Sequence, residues 1–195
     1  MSKKFFILLL LLLPAVYLAQ DSTALATFNE SRLQTNQIGM TVLGSWALAN
    51  IAVSGALLKN SSGTAQKFHQ MNIGWNAVNL VIAGVGYYSA LHGDAALDIA
   101  ATVQEHEKIK RILLLNAGLD VAYITAGFWM REKAKTSNKR AQWKGFGNAL
   151  IMNGGFLLVF DAVLYAVHQQ SDARLYELLS GLRVSPQSVG FTWQF

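Results

Sequence analysis

The chain has 195 residues, of which 52% are hydrophobic and 14% charged, where ordinary soluble domains carry roughly 25% charged residues. Its formal net charge of +5 is too small, and too concentrated in one loop, to mark a nucleic-acid-binding surface. Cysteine is absent, which excludes disulfides, a thiol nucleophile, cysteine-ligated metal, a lipid-bearing N-terminal cysteine and the quinone-linked thiol oxidoreductases.

Lys3 and Lys4 open the chain, Phe5 to Leu13 is an unbroken apolar run, and Pro14 ends it before Ala15-Val16-Tyr17-Leu18-Ala19. That order of charge, apolar core and small residues predicts an export signal over residues 1–19, cut after Ala19. Tyr17 is bulky for its place, so an uncleaved anchor helix stays open as the alternative. Either way residues 20–35 are expected to face outward.

Four stretches nearly free of charge follow. No charged residue lies between Arg32 and Lys59 or between Lys67 and Asp94. From Arg111 to Arg131 the one charge is Asp120, and from Lys144 to Asp172 it is Asp161. Crossing the hydrocarbon takes about 20 apolar residues, so helices are predicted near 36–58, 67–91, 108–131 and 144–169. A soluble helix would show a polar stripe on its outer face; Leu80 to Val85 and Phe156 to Phe160 have none. Without water, the backbone must be satisfied within a helix or a closed barrel, and these lengths specify helices. The predicted fold is all-α: a four-transmembrane-helix bundle over 36–170, preceded by a signal peptide and followed by an outward tail over 171–195.

The first and third loops are basic: Lys59 and Lys67, then Arg131, Lys133, Lys135, Lys139, Arg140 and Lys144. The second carries Asp94, Asp98, Glu105 and Glu107 before Lys108, Lys110 and Arg111. Positive loops stay inside, which places both chain ends on the outer side, as an export signal also requires. Trp129 and Trp143 flank the inner loop as interfacial anchors, whereas Trp46 and Trp75 are expected to pack between helices. Two tandem hairpins are a further reading. A shift of 77 positions lays Asn76 on Asn153, Leu80 on Leu157 and Tyr88 on Tyr165, and one of 72 lays Gly55 on Gly127. Such a repeat would be parallel, because each unit crosses twice.

The polar residues within the spans carry the functional argument. Asn72, Asn76 and Asn79 share one face of the second helix at i, i+4 and i+7; Asn116, Asp120 and Tyr123 do so on the third. Asn50 and Ser54 lie a turn apart on the first, and Asn153 and Asp161 lie on the fourth. Asparagines and small residues commonly bind membrane helices together, and that reading competes with a polar cavity lined by Asn50, Asn72, Asn76, Asn79, Asn116, Asp120, Tyr123, Asn153 and Asp161. The two carboxyl groups are costly in hydrocarbon. Asp120 is expected near the middle of the bilayer, as a donor to Asn76 or Asn79 or as part of a proton or cation site. His92, His106 and His168 map to the outer boundary and His69 to the inner; their spacing matches no metal motif. No nucleophile elbow, phosphate loop or HExxH helix is present, so no catalytic, metal or cofactor site is predicted. The tail Val189 to Phe195 alternates aromatic and polar residues, which suits a short strand or an interfacial plug.

The runs Ile38 to Asn50, Phe68 to Asn76, Asn116 to Asp120 and Gly154 to Ala162 resemble an uncharacterised family of small bacterial membrane proteins, a domain of unknown function, over about residues 35–170. The resemblance implies a bacterial envelope and brings no chemistry with it. The sequence therefore predicts a multi-pass protein of the bacterial inner membrane. Its leading reading is a non-enzymatic bundle that binds membrane lipid, a small molecule, a second copy or another membrane protein. The alternative is a small proton-linked transporter or channel component using Asp120 and Asp161.

Overall fold

A computed structural model describes the backbone of residues 3–180, 182–185 and 188–191, and the side chains of residues 23–180. The side chains of the expected signal segment and residues 192–195 of the tail lie outside the described residues. Five helices follow one another: α1 (Lys3–Leu58), α2 (Gly63–Leu91), α3 (Ile99–Lys133), α4 (Arg140–Gln170) and α5 (Asp172–Ser180). The tail forms an antiparallel pair of strands, β1 (Leu182–Ser185) and β2 (Ser188–Phe191), with Leu182 opposite Phe191.

Three stretches among the described residues are long and apolar enough to cross a membrane: Thr23–Leu58, Ile99–Lys133 and Arg140–Ser180. At 29 residues α2 has the length, but its buried stripe of Asn72, Asn76 and Asn79 lowers its average apolarity. The outward face of α2 is nonetheless oily: Val78, Val81, Ile82 and Val85 are exposed, Val81 by 67%. The same inversion runs through the molecule. Asn29, Asn72, Asn76, Asn153, Asp120 and His106 are buried, while Leu57, Leu115, Leu119, Phe128 and Val159 are exposed. A protein folded in water does the opposite with groups of this kind.

The helices begin earlier than the charge-free runs imply. Residues 23–35 are already helical, and so are 99–107. An apolar run marks the middle of a helix; the helix itself continues through charged turns wherever those charges find partners. At 1.5 Å per residue the stretch Thr23–Leu58 is roughly 54 Å long, well beyond the ~30 Å hydrocarbon layer. Asp98 caps α3, its carboxylate accepting the Ala101 N–H at 2.8 Å. Gly63, with φ of +56°, takes the left-handed conformation that starts α2 after a short turn.

Each sequential pair, α1 with α2 and α3 with α4, packs as a hairpin, and α2 against α4 joins the two. The resulting order is α1–α2–α4–α3. Exchange of the two hairpins would reproduce that order, and Asn76 and Asn153, the residues superposed by the shift of 77, meet at the centre, 2.9 Å apart. Helices α3 and α4 approach closely: a Cβ on Gly127 would stand 2.7 Å from the Gly147 carbonyl oxygen, and one on Gly147 would stand 2.6 Å from that of Gly127. Gly145 likewise lies against the α2 backbone at Thr64 and Phe68. Trp46 stacks on Phe156 of α4 at 3.9 Å, and Trp75 meets Tyr123 of α3 edge-on at 4.8 Å. At the other end Trp129 and Trp143 pack edge to face, their centroids 5.5 Å apart.

Candidate functional site: a cleft between two asparagine and carboxyl layers

The nine residues singled out by the sequence fall into two groups. Asn50, Asn72, Asn76 and Asn153 form one network, in which Asn76 Oδ1 has no partner among the described residues. Asn72 donates to Asn50 Oδ1 at 3.0 Å and to Ser54 Oγ at 2.8 Å. Its own Oδ1 accepts from Asn76 at 2.9 Å and from Asn153 at 2.8 Å. Ser54 also touches His69 Nδ1 at 3.2 Å. The i, i+4 spacing of Asn72 and Asn76 puts both amides on the α2 face that meets α1 and α4. None of these residues lines the large cleft described below, and their geometry is that of helix glue. Replacing Asn153 with leucine is expected to cost about 1–2 kcal/mol, since it removes the bonds that tie α4 to Asn72 and Asn76 of α2. Thermal unfolding of the detergent-solubilised protein measures it, and an unchanged midpoint would refute the network's role.

Asn79, Asn116, Asp120, Tyr123 and Asp161 lie elsewhere, along a cleft of about 990 Å³. Its back is formed by the outer halves of α1 and α4, at Met40, Leu43, Leu157 and Leu164; its sides are α2 and α3. These two helices are not packed on each other, and the Trp75–Tyr123 contact closes the gap at the cleft's deep end. At the other end stand Arg32, Asp94, Glu105 and Lys108. From Glu105 to Asp120 along α3 the cleft runs roughly 22 Å at helical rise. The sequence predicts a polar cavity; the cleft has oily walls, a charged rim and polar groups at its deep end.

Asp120 and Asp161, both buried, lie side by side, near enough to share a hydrogen bond. This corrects the expected pairing of Asp120 with Asn76 or Asn79. Carboxylates only accept, so such a bond needs a proton on one of the two. Three residues at this end have buried polar atoms without a hydrogen-bond partner among the described residues: Trp75 Nε1, Asn79 Nδ2 and Asp120 Oδ2. An unsatisfied buried polar atom costs about 1–3 kcal/mol, and three beside one cleft require an explanation.

A second buried cluster, at the outer end, was not singled out from the sequence. Asn29 of α1 donates to Thr102 Oγ1 of α3 at 2.8 Å, and Arg32 Nε donates to Asn29 Oδ1 at 3.2 Å. Asp172 of α5 accepts from His106 Nε2 and from Lys110 Nζ, each at 2.7 Å. His168 contacts Asn36 Oδ1 at 2.9 Å. His106 is therefore fully buried and bonded through Nε2, its Nδ1 having no partner among the described residues, where the sequence leaves it as an ordinary interfacial histidine. Thr102, His106 and Lys110 at i, i+4 and i+8 are the signal that marks this face. His106, Glu107 and Asp172 stand close enough to share an ion, their ligand atoms within 4.8 Å. The Lys110 ammonium already occupies that position, bonded to both carboxylates.

The chain belongs to a family of unknown function (DUF6992), whose pattern it matches over residues 42–162. The matched stretch holds the asparagine network, both carboxyl groups and most of the cleft's lining, including Asp94, Glu105 and Lys108 of its rim. No curated protein and no solved structure matches the chain.

Proposed function

For a chain whose family carries no assigned activity, we propose a membrane-embedded, non-enzymatic binding protein that holds a small molecule in the cleft between α2 and α3. One observation carries this reading: Trp75, Asn79 and Asp120 line the deep end of a cleft of about 990 Å³, and each has a buried polar atom without a partner among the described residues. A volume near the top of the small-molecule range, with a few convergent polar groups in apolar walls, suits a ligand that supplies those bonds. The inside-out distribution of polarity supports a bilayer setting. On this reading α2 crosses as the fourth span, its asparagines turned away from lipid. The basic loops face the cytoplasm, both chain ends face the periplasm of a bacterial inner membrane, and residues 1–19 are removed on export.

Native mass spectrometry of the protein in lipid nanodiscs tests binding. The expected result is a co-purifying or added small molecule retained by the wild type and lost in Asn79→Leu with Trp75→Phe. Equal spectra for the two proteins would remove the reading. The Asp120–Asp161 pair favours a second reading, in which the dyad passes protons during transport. Proteoliposome acidification distinguishes it: Asp120→Asn abolishes flux if the carboxyl group carries the proton, and the wild type shows no flux if the protein only binds.

A further inference from the structure

We infer that the cleft is loaded sideways from the bilayer, and that its ligand is a single-tailed amphiphile whose neutral head both accepts and donates hydrogen bonds. This rests on the cleft being a binding site. The route follows from the walls. Val78 and Ile82 of α2 and Ile112 and Leu119 of α3 line the cleft and are also among the exposed large hydrophobic residues, between 47% and 60% accessible. The inner surface of the cleft is thus continuous with the outer oily faces of α2 and α3. Because these helices are not packed together above the Trp75–Tyr123 contact, the gap between them opens along their length. A tail lying in that gap stays in contact with hydrocarbon throughout and desolvates nothing.

The head follows from the deep end. Trp75 Nε1 and Asn79 Nδ2 are donors, so the ligand must offer an acceptor such as a carbonyl oxygen. Asp120 Oδ2 receives no N–H or hydroxyl donor among the described residues, and a ligand N–H or O–H would supply one. An anionic head is disfavoured beside two carboxyl groups, and a cationic one would find itself beside the indole and amide donors. A primary amide, or a hydroxyl next to a carbonyl, has the required pair of groups. The charged rim of Arg32, Asp94, Glu105 and Lys108 lies roughly 22 Å away along α3 and limits entry of such an oily molecule from water.

The test uses nanodiscs of phosphatidylcholine with dibrominated acyl chains, which quench tryptophan on contact. The protein has Trp46, Trp129, Trp143 and Trp193 replaced by phenylalanine, so that Trp75 alone reports. Bromolipid is expected to quench Trp75. Dodecanamide is expected to relieve the quenching at concentrations where dodecane does not, and Asn79→Leu to raise the half-relief concentration about fivefold, as loss of one neutral hydrogen bond does. Equal relief by dodecane and dodecanamide would overturn the head assignment; absence of bromolipid quenching would overturn the lateral route. If the four-fold variant does not fold, single cysteines at Ile82 and Ile112, clean in a chain without cysteine, carry spin labels instead. Faster relaxation by oxygen than by a water-soluble nickel chelate supports loading from lipid. The reverse order means an aqueous route, and then the lateral inference falls while ligand retention in native mass spectra still stands.

Discussion

Replacing Asp172 with alanine is expected to detach α5 and loosen the outer ends of α1 and α3, at a cost of about 3–5 kcal/mol. The reason is what the substitution leaves behind. Lys110 and His106 are both buried, and each donates to this carboxylate at 2.7 Å. Without it an ammonium is stranded, with only the half-exposed Glu107 beside it at 3.0 Å. Removing both charges, as in Asp172→Leu with Lys110→Met, should recover much of the loss, because the unpaired ion is the costly species. Hydrogen exchange over residues 172–180 reports the detachment directly. The pH dependence is also fixed in sign. Burial pushes the Asp172 carboxyl up, but the hydrogen bonds from Lys110 and His106 and their charges outweigh it and hold it below the usual carboxylate range. A group depressed in the folded state contributes fully above its unfolded value of about 3.9 and loses that contribution as pH falls through its folded value. Protection of α5 should therefore be flat from neutral pH down to about 5 and collapse only below about 4. A fall between pH 7 and 6 would point to a histidine instead and contradict the assignment.

Alanine at Gly127 or at Gly147 is the second change expected to be severe. The obstacle on each side is a carbonyl oxygen of the facing helix, within 2.6–2.7 Å of the new methyl group. Backbone oxygens cannot rotate away, so α3 and α4 must separate, at about 1–3 kcal/mol and with loss of the dispersion contacts along the seam. Gly118 is the control on the same helix: nothing lies within 4 Å of its Cβ position. There alanine should be neutral, or stabilising by the roughly 0.5–1 kcal/mol that separates the two residues in a helix. Unfolding of the three variants in one detergent compares them; equal midpoints for Gly118→Ala and Gly127→Ala would refute the close crossing.

What the sequence discloses here, and what it hides, follows from the solvent. The outward faces of the long helices are oily, as a bilayer setting would favour, so the charge-free runs report exposure and locate the middle of each helix well. They say nothing of helix ends, because Arg32, His106 and Lys110 continue their helices while turning inward to partners on other elements. The asparagine faces are legible because i, i+4 and i+7 is a local rule, and Asn72, Asn76 and Asn153 do meet. The meeting of Asp120 with Asp161 is not legible: it depends on the depth and rotation of two helices, which backbone approach at Gly127, Gly147 and Gly154 sets. The outer cluster escapes for a related reason. Asp172 lies past the last apolar run and looks like a solvated loop acid, but the chain stays helical through Ser171 into α5 and sets it against His106.

The overhang of α1 and α3 has a bearing on bilayer thickness. A helix of plain leucine can tilt or slide to suit a thicker or thinner membrane. In the proposed bilayer setting this protein would have little such latitude, because its hydrophobic belt lies between the Asp172–Lys110 ion pair and the basic turns next to Trp129 and Trp143. Mismatch is then taken up where no such fastening exists, in the spacing of α2 from α3, and membranes of different depth would hold the cleft at different widths.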